Sequence, residues 1–341
     1  MTPGSATRAA PRLVTLDDIR SAAARLVGVT IRTPLVPFGP PEARRFLKAE
    51  SLQPIGAFKL RGAYVAIAAL SANELARGVV TYSSGNHAQG VARAARLLGA
   101  PAVVVMPSDA PEVKRQRVAA DGAEIVIVGT ASDDRQRVAE EIAAQRGLAI
   151  IPPFDDDRII AGQGTVGLEL VEDLPDTPAL AAVLVPVGGG GLASGVGAAV
   201  RALRPGARVI GVEPELAADA RDSLIRGEIV AWPAELVSRT IADGTRTQAL
   251  GARTFAHLRA HLDSIVTVSE AEIAAGVRLA AERSRLVVEP SGALGIAALA
   301  FHARELGLDR VDGPVVAVVS GGNVDPARYR EYLDAPIPPE G

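Results

Sequence analysis

Short, nearly unbroken runs of Val and Ile punctuate this chain, with longer stretches rich in Ala, Leu and Arg between them. The clearest runs cover residues 79–82, 103–106, 125–128, 183–187, 209–212, 265–268 and 315–319. They are continuous rather than alternating, which predicts strands buried on both faces. Strands that alternate with helical stretches predict an α/β fold with mostly parallel sheets. Seven or more strands over this length suit two doubly wound sheets better than one. Thr15 and Asp18 have the spacing of a capping box, which predicts a helix over about 16–27.

No low-complexity linker separates two halves, so one domain is expected to be inserted in the other, crossing near 71–78 and 150–157. The expected division is a large domain from 1–75 and 155–341, with a small substrate-closing domain of 76–154 inserted in it. Ligands in open parallel sheets bind beyond the carboxyl ends of the strands. Four runs end in chemically loaded loops. The first leads into Ser83, Ser84, Gly85, Asn86 and His87. The second leads into Gly188, Gly189, Gly190 and Gly191, the third into Glu213 and Pro214, and the fourth into Ser320, Gly321, Gly322 and Asn323.

Composition narrows the class. The chain has 341 residues, 48% of them apolar, and a net charge of -3. No nucleic-acid or membrane-surface footprint is visible. There is no cysteine, which excludes disulfides, thiolate metal sites and cysteine nucleophiles. Residues 1–12 have no apolar run, so they read as a frayed arm rather than a signal peptide, and a cytoplasmic location is expected. Residues 177–200 carry no charge over 24 positions, long enough to span a bilayer on the ~20-residue criterion. The glycine tetrad and two prolines inside that segment argue instead for a buried strand, a tight loop and a buried helix.

Lys59 is the focal chemical residue. Phe58 and Leu60 flank it, and Gly56 and Gly62 lie three residues away on either side. Desolvation disfavours an ammonium, so such a lysine can act as a neutral nucleophile toward aldehydes, of which pyridoxal phosphate is the commonest biological example. The bland alternative is a helix-start lysine that snorkels from a buried turn. Gly188 to Gly191 offers backbone N–H groups and a helix start to a phosphate. The same segment also fits a relaxed dinucleotide fingerprint, Gly188-x-Gly190-x-x-Ala193, with Glu213 as the ribose acid. An NAD-dependent dehydrogenase is therefore open on this segment, but it leaves Lys59, the Ser84 loop and Ser320 without roles. A catalytically silent amino-acid-binding protein is a second rival. The Ser83–His87 loop opens another helix and suits a substrate carboxylate, or serves only as a cap.

Taken together, these segments resemble the fold-type II pyridoxal-phosphate enzymes (the tryptophan synthase β-like fold), most closely the serine/threonine dehydratase and serine racemase branch. The matching motifs are the box from Gly56 to Ala63, Ser-Ser-Gly-Asn-His-Ala-Gln-Gly at 83–90 and Ala-Gly-Gln-Gly-Thr at 161–165. The tetrad, Thr-Ile-Ala-Asp-Gly at 240–244, Glu289-Pro290-Ser291-Gly292 and Ser320-Gly-Gly-Asn-Val-Asp complete the set. The resemblance implies two doubly wound sheets with the cofactor between domains.

It also implies roles. Lys59 is the Schiff-base lysine and the base at Cα, and Phe58 packs on the cofactor ring. Asn86 faces the phenolic oxygen, Gly188, Gly189, Gly190 and Gly191 hold the phosphate, and Glu289 and Ser320 complete the cofactor site, with Ser320 at the pyridine nitrogen. Ser83, Ser84, Asn86, His87, Asp243 and Gly244 would bind substrate. A serine hydroxyl does not hold the pyridine nitrogen protonated, so β-elimination is favoured over long-lived carbanions. The cofactor phosphate would be the acid toward the leaving hydroxyl. The implied reaction converts L-serine or L-threonine to a 2-oxo acid and ammonia, with serine racemisation or dehydration of threo-3-hydroxyaspartate as alternatives. Ser84, where many dehydratases carry Ala, could be the second acid/base of a racemase. The racemase branch also binds Mg²⁺, or Ca²⁺, through a pattern matched by Glu213, Ala217 and Asp219. A homodimer or homotetramer acting on a small β-hydroxy amino acid is expected, with no nucleic-acid or membrane partner.

Departures qualify the match. Ala57 stands where many relatives carry Ser. The chain leaves no room for the regulatory domain of biosynthetic threonine dehydratases, so feedback by isoleucine is not expected. His257 and His261 have helical i, i+4 spacing but no supporting glutamate, so they are expected as exposed helix residues rather than zinc ligands.

Overall fold

The computed structural model describes residues 11–83, 85–108, 110, 112–129 and 132–339. Ten strands are present among them. They are β1 (Leu35–Pro37), β2 (Arg45–Ala49), β3 (Val79–Tyr82), β4 (Ala102–Pro107), β5 (Glu124–Val128), β6 (Ala149–Ile150), β7 (Ala182–Pro186), β8 (Arg208–Pro214), β9 (Ser264–Val268) and β10 (Val315–Val319). They form two sheets, a six-stranded one ordered β1-β2-β10-β7-β8-β9 and a four-stranded one ordered β5-β4-β3-β6. Every pairing is parallel except β1 with β2.

All seven expected runs are strands, and three short strands were not foreseen. β2 carries Arg45 and Lys48, and charge hides a strand from a hydropathy reading. The central strands β4, β7 and β10 are buried throughout, as continuous Val runs require. The sheet-edge strands β5 and β9 are only partly buried, because one side lacks a neighbour. The uncharged segment 177–200 is β7, the tetrad and the helix Gly191–Leu203. No helix among the described residues is long and apolar enough to cross a membrane.

The helix Leu16–Leu26 starts at the expected capping box, where Thr15 and Asp18 exchange side-chain and backbone hydrogen bonds. The helices Lys59–Ala68, Asp157–Glu172 and Gly191–Leu203 approach one another so closely that only glycine fits at their crossings. A Cβ on Gly162 would lie 2.6 Å from the Gly62 Cα, and one on Gly195 would lie 2.4 Å from the Gly164 nitrogen. The Ala161–Thr165 motif is thus a packing surface that seats the helix beginning at Lys59.

That helix is also tied by charge. Arg61 is fully buried and bonds Glu50 at 2.8 Å and Glu169 at 2.6 Å. Lys48, equally buried, meets Glu169 at 2.9 Å and donates to the Thr33 carbonyl at 2.6 Å. Buried charges persist only when paired in this way.

Candidate active site

The carboxyl ends of β3, β7 and β10 open on one cavity of about 340 Å³. Phe58, Lys59, Ser83, Asn86, His87, the four tetrad glycines, Asp243, Gly244, Glu289 and Ser320 all line it. Residues from opposite ends of the chain therefore share one space, as parallel topology allows. Ser84 lies outside the described residues.

Lys59 begins its helix, which has no side-chain cap. The Phe58 N–H donates to the Ser320 carbonyl at 3.1 Å, and Ala57 bridges Gly321, so the lysine box is pinned to the loop after β10. The Lys59 amine donates to the Pro153 carbonyl at 2.8 Å and lies 5.2 Å from the Phe58 ring centre. Lys59 is partly accessible from the cavity, yet desolvation lowers its amine to about 8.

The tetrad follows β7 and opens the helix Gly191–Leu203. Its surroundings are tight, and at Gly189 they exclude a side chain. A Cβ on Gly188 would lie 3.0 Å from the Thr245 Cα, and one on Gly189 would lie 2.1 Å from the Phe154 ring. A glycine cradle of this kind, at the start of a 13-residue helix, fits a phosphate.

Ser320 is buried, and its hydroxyl donates to the Ser291 carbonyl at 3.4 Å. Asn86 donates from Nδ2 to Glu289 Oε1 at 2.6 Å and accepts from Asn323 Nδ2 at 2.8 Å. Burial, then the nearby Asp243 charge, pushes the Glu289 carboxyl up to about 7. His87 is buried and lowered to about 3 by desolvation and then by Lys59. Its Nε2 faces the Ile151 carbonyl at 3.1 Å, so Nε2 carries the proton and the ring is neutral. Across the mouth, Lys114 Nζ meets Asp243 Oδ2 at 2.6 Å, and the Gly244 N–H donates to Ser291 Oγ at 2.8 Å.

Glu213, Ala217 and Asp219 are all buried near the end of β8 and do not line the cavity. Glu213 accepts from the Ala220 and Arg221 N–H groups at 3.0 and 2.8 Å. Both Asp219 carboxylate oxygens are buried with no partner among the described residues. Burial raises Asp219 to about 7, and burial together with the Asp219 charge raises Glu213. No group of three or more His, Asp or Glu side chains is placed to hold a metal among the described residues. The unspent Asp219 oxygens beside Glu213 nevertheless fit a hard divalent cation that keeps several waters.

One expectation fails. His257 is fully buried, not exposed. Its Nε2 accepts from the Val14 N–H at 2.8 Å and its Nδ1 donates to the Arg253 carbonyl at 2.7 Å. The segment before the first helix lies on this face, a contact 243 positions away that helical spacing does not encode. His261 is partly buried. With both His257 nitrogens engaged, the pair is unsuited to zinc.

Sequence reading missed Pro153, Phe154 and Lys114. An apolar Pro-Pro-Phe connector carries no chemical signature, and Lys114 resembles any solvated helix residue.

Comparison with known proteins gives the family. The family model described as "Pyridoxal-phosphate dependent enzyme" matches residues 28–321. The L-threo-3-hydroxyaspartate ammonia-lyase of Saccharomyces cerevisiae is 43% identical over 85% of this chain and 86% of its own. The serine racemase of Schizosaccharomyces pombe is 40% identical over 94% of this chain and 98% of its own. A solved structure of a serine racemase from maize superposes with a TM-score of 0.87 at 36% identity, covering 94% of this chain and 97% of that one. The cavity, its lysine and its glycine cradle thus sit in a chain that belongs to the pyridoxal-phosphate dependent enzymes of fold type II, in a family that contains ammonia-lyases and racemases.

Proposed function

We propose that this chain is an ammonia-lyase that eliminates the β-hydroxyl of L-serine or L-threonine, leaving a 2-oxo acid and ammonia. The observation that carries this reading is the desolvated Lys59 amine in the same cavity as the glycine cradle. Pyridoxal phosphate, when bound, supplies an electron sink for the pair left at Cα.

The chain's own residues do the rest. The tetrad and the start of its helix hold the phosphate. Phe58 backs the ring, and Ser320 offers a hydroxyl rather than a charge to its nitrogen. Asn86, held by Glu289 and Asn323, presents a fixed amide toward the phenolic oxygen. Lys59 takes the Cα proton, a role suited to an amine whose pKa is depressed toward neutrality. Ser83 and the backbone N–H groups of Asn86 and His87, at the start of the helix Asn86–Leu98, receive the α-carboxylate. Asp243 and Gly244 form the opposite wall. Residues 76–154, which carry the serine loop and Lys114, act as the closing unit. Glu213, the Ala217 carbonyl and Asp219 hold Mg²⁺ or Ca²⁺ outside the cavity.

The similarity to a 3-hydroxyaspartate ammonia-lyase favours that substrate as a second reading. Release of 2-oxo acid from L-serine, L-threonine and threo-3-hydroxyaspartate, measured side by side, ranks the three. The Lys59→Ala variant should lose both turnover and the borohydride-sensitive absorption band of the wild type. Turnover near the wild-type rate in that variant would refute the assignment.

A further inference from the structure

Three consecutive residues on the connector between β6 and the helix Asp157–Glu172 each hold a different part of the site. The Pro153 carbonyl accepts from Lys59 at 2.8 Å. The Asp155 carboxylate accepts from the Arg253 and Thr254 N–H groups at 2.8 and 3.1 Å, capping the helix Ala252–His261. Phe154, fixed between them, lies against the tetrad. A Cβ on Gly189 would fall 2.1–2.4 Å from its ring, and one on Gly191 would fall 3.1 Å from its Cβ. Phe154 also lines the cavity, so the ring stands where the glycine loop meets the open space.

We propose that Phe154 is the residue that seals the phosphate cradle and sets how tightly the cofactor's phosphate is retained. Water competes with a phosphate for the tetrad's N–H groups. An aromatic wall takes that water's place and lowers the local dielectric, which strengthens charge-assisted hydrogen bonds. The contact also explains Gly189. A methyl there would claim the volume of the ring, so Gly189 and Phe154 form a matched pair.

This inference rests on the cofactor reading above, and calorimetric titration of the cofactor-free protein separates the two. Pyridoxal phosphate and inorganic phosphate are titrated separately into wild type, Phe154→Leu, Phe154→Ala, Gly189→Ala and the Phe154→Ala/Gly189→Ala pair. Phe154→Ala should weaken both ligands about tenfold, and Phe154→Leu, which keeps apolar cover, should weaken them less. Gly189→Ala should cost less affinity in the Phe154→Ala background than in the wild type, since the ring is no longer in its way. Affinities within about twofold of wild type in Phe154→Ala, or strictly additive costs in the pair, would overturn the seal. A wild-type protein that binds neither ligand would instead overturn the cofactor reading, and the seal with it.

Discussion

The Lys59 amine is held 2.8 Å from the Pro153 carbonyl oxygen, a neutral acceptor, in a setting that depresses its pKa to about 8. Among the described residues no carboxylate pairs with the amine to hold its proton; burial is the cause of the shift. Capture of pyridoxal phosphate by the cofactor-free protein needs the neutral amine. Its rate should therefore rise about tenfold per pH unit below 8 and level off above it, as a group with that pKa loses its proton. Stopped-flow absorbance between about pH 6 and 10 checks this, a range that brackets both the shifted and the ordinary lysine value. A rate still climbing toward the ordinary value of about 10.4 would show that burial does not tune Lys59.

Ser320 should govern reaction outcome. In Ser320→Asp, a carboxylate would keep the pyridine nitrogen protonated and lengthen the life of negative charge at Cα. Elimination from L-serine should slow while transamination products rise, as chromatography of the reaction mixture reports. Unchanged product ratios would count against a place for Ser320 at that nitrogen.

Removing Arg61 strands Glu50, which is 0% exposed. Arg61→Leu should cost about 3–5 kcal/mol in urea unfolding, the usual penalty for breaking a buried pair. Burial alone would raise the Glu50 carboxyl, but the Arg61 charge and hydrogen bonds outweigh it and hold it below its ordinary value. A carboxyl lowered on folding stabilises above its unfolded pKa, and that contribution is lost as pH falls through the lowered folded value. The variant should therefore lose less stability than wild type on acidification. Parallel acid curves for the two proteins would contradict the pairing.

Glu213 and Asp219 should answer to a divalent cation. Melting temperature should rise with Mg²⁺ concentration, since a ligand that binds only the folded state stabilises by about 2.7 kcal/mol at 100 times its dissociation constant. Asp219→Ala should abolish the rise. Identical melting curves for the wild type in chelator and in Mg²⁺ would dismiss the site.

Local pattern was enough for much of this protein. The Val-rich runs foretold β3, β7 and β10, because a strand buried on both faces has no polar alternation to show. Gly188 to Gly191 announced a cradle, since four glycines together are costly unless backbone must approach something closely. The apolar neighbours of Lys59 foretold its desolvation. Tertiary structure decided the rest. Nothing in the sequence around Lys48 marks it as buried; Glu169, from a distant helix, neutralises it in the interior. His257 reads as exposed until the segment at Val14 covers it. Phe154 carries no chemical signature in the sequence, and the fold alone brings the tetrad against it. Periodicity records how one element meets its own surroundings. Which loops converge, and which buried charges meet, depends on how parallel strands are ordered across a sheet, and no window of sequence contains that order.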